Sequence, residues 1–83
     1  MKFTYITKGV CSRSIDIEIE NDIVKSVSYL GGCNGNLKGI GELTKGMSVD
    51  EVIERLQNIK CGFKNTSCPA QLAEALKQYK KQI

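Results

Sequence analysis

The 83-residue chain carries 12 Lys and Arg against 9 Asp and Glu, a formal net charge of +3, and it has neither histidine nor tryptophan. A chain of this length makes one domain, residues 1–83, with a core small enough that a metal, a cross-link or self-association commonly reinforces it. The missing imidazole excludes His-dependent catalytic triads and removes the commonest nitrogen ligand for a metal.

Residues 1–6 lack the apolar run and small-residue cleavage site of a signal peptide, and no stretch approaches the ~18 apolar residues of a membrane span, so a cytoplasmic chain with no membrane association is expected. Phe3 to Thr7 reads as a strand. The connection Lys8-Gly9-Val10-Cys11-Ser12-Arg13 then places Cys11 on a turn between strands. Ile15-Asp16-Ile17-Glu18-Ile19-Glu20 alternates apolar and acidic side chains, the pattern of a strand with one face on a core and one in water. Asn21-Asp22 supplies turn chemistry before Ile23 to Tyr29, and the two runs are expected to form an antiparallel hairpin.

Beyond Tyr29 the pattern becomes helical. Gly31-Gly32-Cys33-Asn34-Gly35-Asn36 breaks the sheet, and either Asn34 or Asn36 can cap a short helix through about Leu43, weakened by Gly39 and Gly41. Ser48 with Glu51 forms a capping box, and Met47 with Val52 the accompanying hydrophobic staple. Val49, Val52, Ile53 and Leu56 follow helical spacing, and Glu51 can pair with Arg55. This helix is expected to end near Lys60, with Cys61 at its end and Gly62 as a left-handed cap. Thr66 or Ser67 caps the last helix, Pro69 is tolerated in its first turn, and Leu72, Ala73, Leu76, Tyr79 and Ile83 make its buried stripe. Lys77, Lys80 and Lys81 suit its C-terminal end. The expected fold class is α+β: a three-stranded antiparallel sheet followed by two or three helices packed on one face.

The chemistry-bearing residues are Cys11, Cys33, Cys61 and Cys68. Three fall at helix ends or the Gly-rich corner and one on a strand turn, which disfavours plain core packing. In a reducing compartment, permanent disulfides are the lesser expectation. Four thiolates without imidazole suit tetrahedral zinc, iron or an iron–sulfur cluster, although no C-x-x-C knuckle is present. A thiolate at a helix N-terminus, the position of Cys68, is favoured by unpaired N–H groups and the helix dipole, so a redox pair of Cys33 or Cys61 with Cys68 stays open, as do inert buried thiols. Gly32, Asn34, Gly35 and Asn36 offer a candidate anion or nucleotide site, joined by Ser12, Arg13 and Ser14. The corner matches neither a P-loop nor a dinucleotide fingerprint, and a sharp turn with positive φ at glycine is the plainer reading. A nucleic-acid surface is disfavoured: the basic residues form no dense stripe, and the aromatics are only Phe3, Tyr5, Tyr29, Phe63 and Tyr79.

Thr66-Ser67-Cys68-Pro69-Ala70, with Gln71-Leu72-Ala73 and Ala75-Leu76 after it, resembles the Thr-Ser-Cys-Pro-Asp motif that names the TSCPD domain. The corner Gly32-Cys33-Asn34-Gly35-Asn36 and the pair Cys61-Gly62 are similar to the same family. The resemblance covers nearly the whole chain and implies a stand-alone small form of a domain otherwise found at the C-terminus of vitamin-B12-dependent ribonucleotide reductases. Ala70 stands where the family name has Asp, so any cap from that carboxylate is absent. The resemblance implies that Cys11, Cys33, Cys61 and Cys68 act together as metal ligands.

A chain this small cannot house a radical barrel, a cofactor site and a nucleotide pocket, so no catalytic residue is assigned. The expectation is an accessory or interaction module with cysteine-bound metal, zinc first, linked to ribonucleotide reductase and deoxynucleotide metabolism. A thiol redox protein and an anion-binding regulatory domain are the alternatives. The partner would be ribonucleotide reductase, another protein, or a second copy of the chain.

Overall fold

The computed structural model describes residues 1–32, 34–60 and 66–81. Cys33, Cys61, the expected cap Gly62 and the expected stripe residue Ile83 lie outside the described residues.

Alternation along the middle strand decides which side of the sheet meets the core. β1 (Lys2–Ile6), β2 (Ser12–Glu20) and β3 (Ile23–Gly31) lie in the order β1-β2-β3, both pairs antiparallel. Ile15, Ile17 and Ile19 are at most 2% exposed, while Asp16 and Glu20 face solvent. The register sets Phe3 and Val27 beside Ile17, and Tyr5 and Tyr29 beside Ile15. On the opposite face Thr4 Oγ1 donates to Asp16 Oδ1 at 2.6 Å, and Lys2 lies 4.0 Å from Glu18. The hairpin turns at Asn21 and Asp22, whose φ values of 53° and 65° are positive in a region that short Asx side chains tolerate. β2 starts three residues before the apolar alternation does, because Ser12 pairs with Gly31 and Ser14 with Leu30 across an irregularity.

The helices are α1 (Asn34–Thr44), α2 (Val49–Leu56) and α3 (Cys68–Lys81), which completes an α+β arrangement. Asn34 and Asn36 both lie inside α1, and the position before the helix is outside the described residues. The two internal glycines of α1 differ in role. A Cβ at Gly39 would meet nothing within 4 Å, whereas one at Gly41 would sit 2.6 Å from the Val27 carbonyl oxygen. Gly41 is therefore a point of close approach between α1 and β3. Past α1 the chain pairs with the same strand: Gly46 N donates to Val24 O at 2.8 Å, and Val24 N donates to Met47 O at 2.9 Å.

Ser48 caps α2 by accepting from Glu51 N at 3.2 Å, and the Glu51 carboxylate is taken up by Arg55 at 3.0 Å. The helix stops at Leu56, not near Lys60. Gln57 N closes on Ile53 O, Ile59 N then makes a tighter turn to Leu56 O, and the Ile59 carbonyl accepts from Ser67 Oγ. A tertiary hydrogen bond thus ends a segment that its own sequence would have continued. Leu72, Ala73, Leu76 and Tyr79 are buried along α3 as their spacing predicts, with Ala75 beside them. Leu72, Ala75, Leu76 and Tyr79 join Ile15, Ile17, Ile19, Val24, Val49 and Val52 in one apolar cluster. At the far end of α3, Lys80 Nζ bonds Asp22 Oδ2 of the hairpin turn at 2.5 Å and lies 3.3 Å from Asp50 of α2. Among the described residues no helix is long and apolar enough to cross a membrane.

Candidate functional site

The site is built where the β1–β2 connection meets the start of α3. Ser67 prepares that start. Its hydroxyl accepts from Ala70 N at 3.1 Å, its carbonyl accepts from Gln71 N at 2.8 Å, and its hydroxyl proton goes to Ile59 O at 2.7 Å. Pro69 in the first turn gives up no partner. The Ala70 departure from the Thr-Ser-Cys-Pro-Asp pattern leaves no open cap, because Ser67 supplies the acceptor and Ala70 is buried.

The connection from β1 turns at Gly9, which has φ 71°. Gln71 then braces it against α3: Lys8 N donates to Gln71 Oε1 at 3.0 Å, and Gln71 Nε2 donates to Thr66 Oγ1 at 3.1 Å. Thr7 Oγ1 donates to Ser12 O at 2.6 Å and Thr7 N to Arg13 O at 3.1 Å, closing the connection at its base. Held this way, Cys11 meets Cys68 with Sγ···Sγ at 3.7 Å.

The two thiols differ in setting. Cys11 is exposed and Cys68 is buried. Ser12 Oγ lies 3.2 Å from Cys68 Sγ, and Tyr29 Oη donates to the Cys68 carbonyl at 2.9 Å. Cys68 is thus buried among polar contacts and does not join the apolar cluster. Burial first, and then the nearby Cys68 sulfur, push the Tyr29 phenol well above its ordinary value of 10.0, so it stays a neutral donor.

Gly31 and Gly32 turn the chain from β3 toward α1 with φ of 80° and 82°, the sharp glycine turn that the sequence suggests. A Cβ at Gly32 would lie 2.8 Å from Leu37 Cδ1, 3.2 Å from Ser12 N and 3.3 Å from Cys11 Sγ, so this glycine packs directly against Cys11. Asn34 opens α1, a Cβ at Gly35 would meet nothing within 4 Å, and Asn36 is exposed within the helix. Of the residues that could join these as an anion site, Ser12 and Ser14 are buried and Arg13 is exposed. Ser12 is committed to Cys68.

Of the four predicted ligands, the structure brings Cys11 and Cys68 together, while Cys33 and Cys61 lie outside the described residues. Among the described residues no three or more His, Cys, Asp or Glu side chains are grouped to hold a metal. Gln71 and Tyr29 are the site residues that sequence reasoning passed over. Gln71 falls three residues after Cys68 and four after Ser67, so extending helical periodicity to polar residues would have put it on their face. Tyr29 had no such signal, because its contact depends on the pairing of β3.

The family model described as TSCPD domain matches residues 1–80 of the chain. No curated protein and no solved structure matches it.

Proposed function

The chain belongs to the TSCPD-domain family, and on that premise we propose that it is a thiolate metal-binding module, with zinc as the metal, serving as an accessory or interaction domain linked to ribonucleotide reductase. One observation carries the metal reading. The Cys11 and Cys68 sulfurs lie 3.7 Å apart, and a tetrahedron of about 2.3 Å zinc–sulfur bonds has an edge of about 3.8 Å. The donor chemistry fits as well, since paired thiols suit a soft or borderline cation and no histidine competes. Cys33 and Cys61 are proposed as the remaining ligands. Ser12 Oγ would orient Cys68 Sγ as an outer-shell partner, and Tyr29 would hold the first turn of α3 through the Cys68 carbonyl. When bound, a closed four-thiolate zinc supplies no chemistry of its own; it cross-links the segments that carry its ligands.

The accessory role rests on the family link. Elemental analysis of tag-free protein purified anaerobically, with a visible spectrum of the same sample, tests the metal. About one zinc per chain with a featureless spectrum is expected for a four-thiolate site. Iron with charge-transfer bands would move the site to iron or an iron–sulfur cluster, and absence of metal with all thiols intact would refute the module. Cys68→Ser should lower both metal content and thermal stability, and unchanged stoichiometry in that variant would refute its role as a ligand. Co-purification with a vitamin-B12-dependent ribonucleotide reductase, compared between wild type and metal-stripped protein, tests the accessory role.

A further inference from the structure

We infer that Cys11 and Cys68 form a dithiol switch that a hydroperoxide closes to a disulfide. The inference goes beyond metal binding and does not depend on it. Three observations carry it. The sulfurs are already in contact at 3.7 Å, so closing to a bond of about 2.05 Å requires each to move by roughly 0.8 Å. The exposures are unequal, with Cys11 open to solvent and Cys68 buried, which gives one thiol that meets the oxidant and one that waits behind it. Both sulfurs are held from the protein side. Gln71 and Thr7 fix the Cys11 connection, while the Ser12 hydroxyl and the Tyr29 bond fix Cys68.

The steps balance. The hydroperoxide transfers one oxygen to Cys11 Sγ, giving a sulfenic acid, and the peroxide is reduced to water or an alcohol. Cys68 Sγ then attacks the Cys11 sulfur. The S–S bond forms as the S–O bond breaks, and the sulfenic hydroxyl leaves as water with the proton of the Cys68 thiol. A thiol reductant reverses the reaction by exchange through a mixed disulfide. Because a disulfide sulfur is no longer a thiolate ligand, oxidation and metal ligation at this pair exclude one another.

Trypsin separates the four cysteines onto four peptides, residues 9–13 for Cys11, 26–38 for Cys33, 61–64 for Cys61 and 65–77 for Cys68. Reduced full-length protein is treated with hydrogen peroxide in the presence of a chelator, alkylated, digested and mapped by mass spectrometry. The expected product joins peptides 9–13 and 65–77 with the loss of two hydrogens, and a thiol reductant restores both. Peptides 9–13 and 65–77 recovered singly, or joined to either of the others, would overturn the inference. As a second reading, the double variant Cys33→Ser/Cys61→Ser keeps only this pair and should fall from two titratable thiols per chain to none; two thiols surviving would overturn it. The chelator makes the outcome independent of whether zinc binds, so failure here and failure of the metal reading are told apart.

Discussion

Beneath the sheet, Ile15, Ile17, Val49, Val52, Leu72 and Leu76 pack almost without solvent access and carry no polar atom in their side chains. At the cysteine corner the buried side chains include Ser12, Ser67, Cys68 and Gln71, each placed by a directional hydrogen bond. Apolar burial is non-directional and tolerates swaps of similar volume. A buried hydrogen bond adds little net stability when made and costs more when one partner is removed. Stability in this chain therefore resides mainly in the layer, while the corner sets the positions of two sulfurs.

The sharpest way to break that comparison is to damage each region in turn. Leu72→Ala, at a site with no solvent exposure, is expected to cost about 2–5 kcal/mol in urea unfolding, against less than about 1.5 kcal/mol for Leu72→Met. A cost for Leu72→Ala below that for surface substitutions would contradict the assignment of stability to the layer. Ser67→Ala removes the cap on Ala70 N and the bond to Ile59 O, and should cost about 1–3 kcal/mol. Ser67→Thr should recover most of that loss if the hydroxyl is what matters.

Two glycines of α1 provide a matched pair. Gly41→Ala pushes a Cβ into the Val27 carbonyl, and a loss of about 1–3 kcal/mol is expected from the strain. Gly39→Ala meets open space and should gain about 0.5–1 kcal/mol from helix propensity. Thermal melts of the two variants shifting in the same direction would argue against the close approach of α1 to β3. The smallest effect at neutral pH belongs to Tyr29. Its folded value is raised above 10.0, so above pH 10 the unfolded chain releases a proton that the folded one keeps, and stability falls as pH climbs. Below pH 10 the contribution is fully present. Denaturation titrated from pH 9 to 12 should show this decline in wild type and a smaller one in Tyr29→Phe.

The alternation of residues 15–20 made β2 legible, because three isoleucines at period two leave one choice of face. Its polar beginning at Ser12 and Ser14 was not legible, since those serines are buried by pairing with β3 and not by their own hydrophobicity. Ser67 was readable as a cap because capping is a local matter. The end of α2 was not, because the bond from Ser67 to Ile59 spans eight residues of chain. The cysteines declared their chemistry by residue type, but the partnership of Cys11 with Cys68 joins positions 57 apart and depends on Gln71 bracing the connection. Placement at helix ends had pointed to Cys33 or Cys61 as partners for Cys68, and both of those cysteines lie outside the described residues. Gly39 and Gly41 looked alike in sequence, and only the position of Val27 distinguishes them.

The way β3 is flanked gives the sheet a direction of growth. Residues 46 and 47 occupy the backbone of Val24, and Gly41 presses on the carbonyl of Val27, so a further strand has no continuous ladder to join on that side. At the other side, the bonds from Ile19 N to Met1 O and from Thr7 N to Arg13 O turn the backbone groups of Lys2, Thr4 and Ile6 away from β2. Among the described residues, any added strand must align on those three positions. Ile6 offers it an exposed apolar side chain and Lys2 a charge of the kind that discourages indiscriminate edge pairing.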